Sequence, residues 1–265
     1  MTDNPPLLYS GIRLRRIPIY KIGVLIVQRC KKYIEPTSAC CYMFKYFTRK
    51  LPMVEIIDNA TDPRCLEIFR LRHKVVIDQC KMTINASNIV DSAKGKMIMD
   101  DHDMSPATVH YAVRSPKTGE IVSAIRTIDA NKTTLDMEKH NWFRIDNSIK
   151  ANGVVEWSRL VSDVSVRKTN TALLLYMQSV YHQQDLGVNN VIFMVDGRAT
   201  NLMKYYKRWT ICREISNGAV ECNEYEQGRK SHVMLMPMGT PGSIERHLFT
   251  TTVQVPITFA VTFMK

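Results

Sequence analysis

The sequence of 265 residues predicts an α/β protein in which helices cover both faces of a mixed sheet. Apolar and polar residues alternate in segments such as 107–113 and 121–128, which is typical of strands. In 63–80 and 170–184 the apolar residues instead recur at helical spacing. Because the two kinds of segment follow each other along the chain, the pattern favours a single αβα layered domain.

Each element is predicted from a local signal, in chain order from residue 54. Asn59, Thr61 and Asp62 precede Pro63, a combination typical of a helix start. A turn at 115–119 joins two alternating segments into a hairpin. The acidic, methionine-rich stretch 81–106 shows no sustained periodicity, so it is predicted to be a long loop that covers a site. The predicted strands are 54–57, 107–113, 121–128, 154–162, 191–196, 209–215, 232–237 and 251–263, and the predicted helices are 63–80, 170–184 and 199–208.

Composition indicates a globular protein of the cytoplasm. Hydrophobic residues make up 45% and charged residues 23%, which are ordinary values for a folded domain. The seven cysteines include no C-x-x-C pair and no zinc-finger spacing with histidine, so reduced thiols and no metal site are expected. The longest apolar candidate, residues 22–27, is much shorter than the roughly 18 residues that a membrane-spanning helix needs.

Positive charge is concentrated at the N-terminus. Residues 1–50 hold ten Lys and Arg against two acidic residues, hence +8 of the formal charge of +11. Together with Pro52, this predicts a basic N-terminal appendage over 1–50 and a separate domain over 51–265. Such a charge attracts acidic lipid, an acidic carrier protein or nucleic acid. No helix-turn-helix, zinc or aromatic-basic motif supports nucleic acid, whereas 17–27 could form an interfacial helix and give peripheral membrane contact.

Polar residues capable of chemistry follow one another in a suggestive order. An arginine on the first helix precedes a D-x-x-D pair in the loop, an arginine on the hairpin strand, and the sequence E-W-S-R on the next strand. These residues are Arg72, Asp100, Asp103, Arg126, Glu156, Ser158 and Arg159. Because strand side chains alternate, Glu156 and Ser158 are predicted on one face, and Trp157 and Arg159 on the other.

This order and spacing resemble the acyl-homoserine-lactone synthases, or autoinducer synthases, over about residues 54–200. The stretch 155–160 (VEWSRL) is the most specific part of the match. The resemblance implies a fold similar to the Gcn5-related N-acetyltransferases and makes 51–265 an acyltransferase domain. It further implies transfer of a fatty acyl group from acyl carrier protein or acyl-CoA to the amine of S-adenosylmethionine. The product would be a quorum-sensing N-acyl-homoserine lactone, and S-adenosylmethionine would be a substrate, with no tightly bound cofactor.

The resemblance has two departures, and both concern the amine acceptor. Val76 and Met82 stand where the family has aromatic residues that line the S-adenosylmethionine pocket. The related long-chain N-acyl amino acid synthases have a similar pattern and another small-molecule amine acceptor, so they are the closest alternative. A basic module that binds a membrane surface or nucleic acid is the alternative from a different class.

A mechanism follows from the residue types. Amide formation needs an unprotonated amine, so Glu156 is the candidate general base. Ser158 or strand backbone N–H groups could stabilise the oxyanion, and Arg159 completes the predicted catalytic group. The other motif residues, Arg72, Asp100, Asp103 and Arg126, are assigned to substrate binding. The three arginines either bind the acceptor's carboxylate or pair with the two aspartates, and the near balance of charge favours pairing.

The acyl donor needs an apolar slot and a docking surface. The slot is predicted from the second helix and the strand after it, with Leu173, Met177 and Phe193 as its main residues and Tyr176 beside them. The loop 166–170 lacks the glycines that usually cradle coenzyme A, which favours an acyl carrier protein. Such carriers are acidic, and the predicted docking face consists of Arg167, Lys168, Lys204, Lys207 and Arg208.

Overall fold

The computed structural model describes residues 54–84, 86–167, 171–199, 212–222 and 229–238. The appendage 1–50, its boundary with the following domain, and the predicted strand 251–263 lie outside these ranges. So do all but the first residue of the predicted helix 199–208 and the first three residues of the predicted strand 209–215. The docking residues Lys168, Lys204, Lys207 and Arg208 also lie outside them, as do the side chains of Leu173 and Met177.

Within the described ranges, eight strands form one mixed sheet. Its strands are β1 Val54–Ile57, β4 Thr108–Arg114, β5 Ile121–Asp129, β6 Val154–Ser162, β7 Asn190–Asp196, β8 Arg213–Glu214, β9 Val220–Cys222 and β10 Arg229–Pro237. Their order is β1-β4-β5-β6-β7-β10-β8, with β9 also paired to β10. All pairs are antiparallel except β6 with β7. The predicted strands within the described ranges are therefore present, most of them within one or two residues of the expected bounds.

Helices cover both faces of this sheet, as predicted. They are α1 Pro63–His73, which continues into a π-helical turn Lys74–Gln79, the short α2 Asp136–Lys139 and α3 Asn147–Lys150, and the long α4 Thr171–Asp185. Tyr111 of β4 packs in one buried cluster with Leu175 of α4, whereas its neighbour Ala112 packs in another with Phe69 of α1. Since adjacent strand residues face opposite ways, α1 and α4 lie on opposite faces. None of the described helices is long and apolar enough to cross a bilayer.

The start of α1 follows its sequence signal closely. The Asp62 carboxylate accepts a hydrogen bond from the Arg64 backbone N–H at 2.9 Å, and Pro63 occupies the first turn. Proline is favoured there because its missing N–H would have no helical partner. Ile68 and Phe69 then pack against the sheet and fix the helix on the face that carries the candidate site.

The prediction of one long loop over 81–106 is wrong. This stretch contains a two-stranded hairpin, β2 Ile89–Ser92 and β3 Gly95–Ile98, and a 3-10 turn at Asp101–Met104. A strand of four residues is too short to show a clear alternation of apolar and polar residues. In this hairpin only Met97 and Ile98 are deeply buried. The hairpin packs on α1, and its Ile98 lines the cavity described next.

Candidate active site

A cavity of about 360 Å³ lies where β6 and β7 separate. The two strands pair only from Val154–Asn190 to Trp157–Phe193, and residues of both strands beyond this point line the cavity. The wall on the α1 face carries the charged and polar side chains beside apolar ones such as Val76 and Val161, and we call it the polar wall. Its polar residues include Arg72, Asp136, Glu156, Ser158 and Arg159. The wall on the α4 face is apolar, and its residues include Trp157, Tyr176, Phe193, Val195 and Ala199.

A β-bulge places one of the polar residues. Residues 159–160 of β6 face a single residue of β5, and Arg159 has a φ of 55°, which is unusual for a residue other than glycine. The bulge turns the Arg159 side chain towards Asp100, with an Nη2–Oδ2 distance of 2.7 Å. Arg159 therefore lies on the face of Glu156, and its predicted placement on the face of Trp157 is wrong.

The arginines and aspartates form a buried ion cluster. Arg126, which is fully buried, contacts the carboxylate oxygens of Asp100 at 2.6 Å, Asp103 at 2.9 Å and Asp136 at 3.0 Å. Arg72 contacts the other oxygen of Asp103 at 2.6 Å. Of the two arrangements considered from the sequence, the arginines adopt pairing with the acids, so their charge is largely neutralised before a substrate binds.

The cluster keeps its carboxylates ionised. Burial alone would raise the pKa of Asp103, but the charges of Arg72 and Arg126 outweigh it and hold that pKa far below its usual range. The same balance of burial against arginine charge lowers the pKa of Asp100 and of Asp136, where His140 also contributes. The three aspartates are thus negative at neutral pH and match the three arginines in number.

Glu156 behaves in the opposite way. Its side chain is only 3% exposed, and its Oε2 accepts a hydrogen bond from the Met137 backbone N–H at 3.4 Å. Burial, reinforced by the negative charge of Asp136, raises the pKa of Glu156 to about 8. The polar wall is therefore neutral when Glu156 holds its proton and carries one negative charge when it does not.

Several residues of the site were not found from the sequence. Asp136 belongs to the cluster but lies on the four-residue α2, where no motif distinguishes it from a surface acid. Trp142 lines the polar wall and stacks on the His140 ring at 4.6 Å. Val76 and Met82 also line the cavity, so the two departures from the expected pattern both face the substrate space.

The remaining predicted site residues differ in how they relate to the cavity. Phe193 lines it, and its ring lies 5.6 Å from that of Trp157. Arg167 is exposed, and its guanidinium donates to Gln79 at 3.1 Å and contacts the Cys80 sulfur at 3.4 Å. Among the residues that the structure covers, no group of three or more His, Cys, Asp or Glu side chains is placed to hold a metal ion.

Comparison with known proteins identifies the family. The model of the family described as N-acyl amino acid synthase FeeM matches residues 67–236. Among solved structures, TofI in a ternary complex with an inhibitor and MTA superposes with a TM-score of 0.54 at 15% identity, covering 73% of this chain and 95% of TofI. MesI, a CoA-dependent acyl-homoserine lactone synthase, gives 0.52 at 14% identity and covers 76% of this chain and 95% of MesI. FeeM from uncultured soil microbes gives 0.51 at 10% identity and covers 72% and 92%. No curated protein sequence matches the chain.

The fold and the family match define an N-acyltransferase enzyme. The chain belongs to the FeeM family of N-acyl amino acid synthases. The resemblance inferred from the motif order and the mixed α/β fold class are both confirmed.

Proposed function

We propose that the protein transfers a fatty acyl group from a thioester to the amine of an amino acid and so forms an N-acyl amino acid. The observation that carries the proposal is a buried carboxyl group, Glu156, in a cavity whose two walls differ in chemistry. A polar wall with the capacity for one negative charge suits an ammonium group, and an apolar wall suits an acyl chain. Membership of the FeeM family supports an amino acid as the acceptor.

The reaction requires two proton movements. The bound ammonium must lose a proton to become a nucleophile, and Glu156 takes it in its ionised form. The amine nitrogen then bonds to the thioester carbonyl carbon, the C–S bond breaks, and the leaving sulfur receives a second proton from the nitrogen. Ser158 lines the cavity and accepts from Arg126 Nε at 2.9 Å, which leaves its own O–H to donate to the oxyanion.

The ion cluster favours a cation at the polar wall. Both Nη groups of Arg126 contact carboxylates, Arg159 pairs with Asp100 and Arg72 pairs with Asp103, so the three arginines add no net positive charge. When Glu156 ionises, the wall becomes negative and stabilises the acceptor's ammonium. In this proposal the arginines and aspartates position Glu156 and the β6 bulge, while the ammonium occupies the space beside them.

S-adenosylmethionine is the second candidate acceptor, with an N-acyl-homoserine lactone signal as the product. Structural likeness to TofI and MesI supports S-adenosylmethionine as the acceptor. Their sequence identities to this chain, 15% and 14%, establish the fold alone. Val76 and Met82 argue against S-adenosylmethionine, because both line the cavity and neither has an aromatic ring. The amino acid acceptor is therefore the preferred proposal.

Product analysis separates the two acceptors. The purified protein is incubated with palmitoyl thioester and either S-adenosylmethionine or single amino acids, and products are identified by mass spectrometry. We expect an N-palmitoyl amino acid from at least one amino acid and no acyl-homoserine lactone. Lactone formed from S-adenosylmethionine alone would establish the second candidate, and the absence of any amide would overturn the proposed function.

For the donor, we propose an acyl carrier protein that docks at a face including Arg167, with acyl-CoA as the alternative. Arg167 lies at the end of β6 beside the exposed apolar side chain Val164, a combination that suits an acidic partner with an apolar contact. Raising the salt concentration from about 0.1 M to 0.5 M should raise KM for acyl carrier protein about tenfold, because screening weakens exposed charge pairs.

Variants test this docking face. Arg167→Gln should reproduce much of the salt effect at low salt, whereas Lys132→Gln, which removes an exposed cation paired with Asp129, should leave KM unchanged. A KM for acyl carrier protein that is insensitive to both salt and Arg167→Gln contradicts docking there.

We also infer where the enzyme acts. The proposed substrates, an acyl carrier protein and an amino acid, are soluble, which suits a cytoplasmic enzyme. The proposed product carries an apolar chain, and we infer that the basic appendage 1–50 contacts acidic lipid.

A further inference from the structure

A second cleft lies on the other side of the ion cluster. It has a volume of about 590 Å³ and lies between the β2–β3 hairpin, the 3-10 turn and α2. Its polar lining includes Asp100, Asp101, His102, Lys139 and His140. Among the described residues, Asp136 alone lines both this cleft and the cavity that contains Glu156.

The two carboxylate oxygens of Asp136 contact different groups, one the arginines of the ion cluster and the other the histidines of the second cleft. Oδ2 contacts Arg126 at 3.0 Å and Arg159 at 3.5 Å. Oδ1 lies 3.5 Å from His140 Nε2 and 3.9 Å from His102 Nε2. The His102 side chain is 6% exposed and His140 is 36% exposed, so the second imidazole connects this buried carboxylate with solvent.

The proposed reaction leaves a proton behind. An ammonium and a thioester give an amide, a thiol and one free proton, because the nitrogen loses two hydrogens and the thiol gains one. The free proton stays on Glu156, whose side chain is 3% exposed and faces the cavity that holds the acyl product in the proposed reaction. Before the next turnover Glu156 must lose this proton, and the route has to pass through groups that can exchange one.

We propose that Asp136 and His140, with His102 beside them, form the path by which the proton on Glu156 reaches solvent through the second cleft. The inference rests on the proposed acyl transfer. Glu156 and Asp136 line the same cavity, and Asp136, which its arginines keep ionised at rest, holds the proton only in passing before the His140 imidazole on the far side takes it. Burial lowers the pKa of His102, and Asp100, Arg126 and Lys139 are the other charged groups that act on it, so its ring is neutral and able to accept.

His140 has a second contact that the test must preserve. Its ring stacks on Trp142 with an interplanar angle of 17°, and Trp142 lines the substrate cavity. His140→Phe keeps an aromatic ring for this stack and removes both nitrogens. We expect kcat to fall about tenfold or more while KM for both substrates changes less than about twofold, since proton transfer by a positioned side chain contributes about 10²-fold or more.

Chemical rescue distinguishes a proton path from a structural role. Added imidazole should restore part of kcat in His140→Phe with palmitoyl-CoA and the amino acid that gives the most amide. His73→Phe is the matched control, because His73 pairs with Asp78 and neither residue lines either cavity. We expect it to retain the unsubstituted kcat and to show no response to imidazole.

The outcomes separate the path from the reaction itself. If the unsubstituted protein forms amide and His140→Phe and His102→Asn both match its kcat, the path is overturned and the acyl transfer stands. A loss of kcat that imidazole does not restore overturns the path as well, because the ring then acts only as packing. Absence of amide from the unsubstituted protein overturns the acyl transfer and the path together.

Discussion

Glu156→Gln is expected to lower the rate of amide formation about 100-fold or more, with KM for the acyl thioester nearly unchanged. Glutamine keeps the shape of the side chain but cannot take a proton from the acceptor's ammonium. Thiol release, with the amide confirmed by mass spectrometry, measures the rate. Glu67→Gln is the matched control, since Glu67 pairs with Arg114 on the surface of α1. Retained turnover in Glu156→Gln would rule out the role of general base.

The pH profile provides an independent check of the same group. Because the pKa of Glu156 is raised to about 8, the ionised base is a minority at neutral pH and becomes dominant above it. We expect kcat/KM for the acyl thioester, which does not titrate here, to rise with pH through about 8. A profile that is already flat above pH 6 would mean that the essential base has an ordinary carboxyl pKa.

Glu156→Gln, which is expected to lower activity, should raise the stability of the protein at high pH. The folded pKa of Glu156 lies above the ordinary value of 4.5, so the folded protein binds more protons between these values than the unfolded chain does. Its free energy of unfolding therefore falls as pH rises from about 4.5 to 8. Glutamine never ionises, so the variant should be more stable at pH 9 than the unsubstituted protein by a few kcal/mol, at about 1.4 kcal/mol per pKa unit.

Much of the fold was predictable because its main strands carry strong periodic signals. The strand over 154–162 has the same bounds in the prediction and in the structure, although its first four residues are all buried and Leu160 is exposed. The hairpin inside 81–106 was not predictable, because its four-residue strands depend on packing against α1 more than on their own pattern. Short elements of this kind are determined by tertiary contacts.

The site was predictable in its members more than in its geometry. Asp100 and Asp103 do meet the arginines, as their motif order suggested. The face of Arg159 was not predictable, because the bulge arises from the pairing of β6 with β5 and has no signature within the strand. Asp136 was missed for a related reason, since its importance depends on the position of Arg126 in three dimensions.

Arg126→Met is expected to have the largest effect on stability. The substitution removes the cation that contacts three buried carboxylates, and the loss of one partner from a buried ion pair costs about 3–5 kcal/mol. Urea denaturation measures the loss as a shift in the midpoint at unchanged slope. Arg114→Met is the control, because its pairs with Glu55 and Glu67 are partly exposed and contribute about 1 kcal/mol or less.

The pH dependence shows whether the loss in Arg126→Met is electrostatic. In the unsubstituted protein the lowered pKa values of Asp100, Asp103 and Asp136 give stability that is present above about pH 4 and lost as pH falls through the folded values. Without Arg126 these carboxylates are costly to keep ionised, and acid relieves them by protonation. The difference in unfolding free energy between the two proteins should therefore shrink from pH 7 towards pH 3. A difference that stays constant over this range would indicate a packing defect, and the ion cluster would then contribute little through its charge.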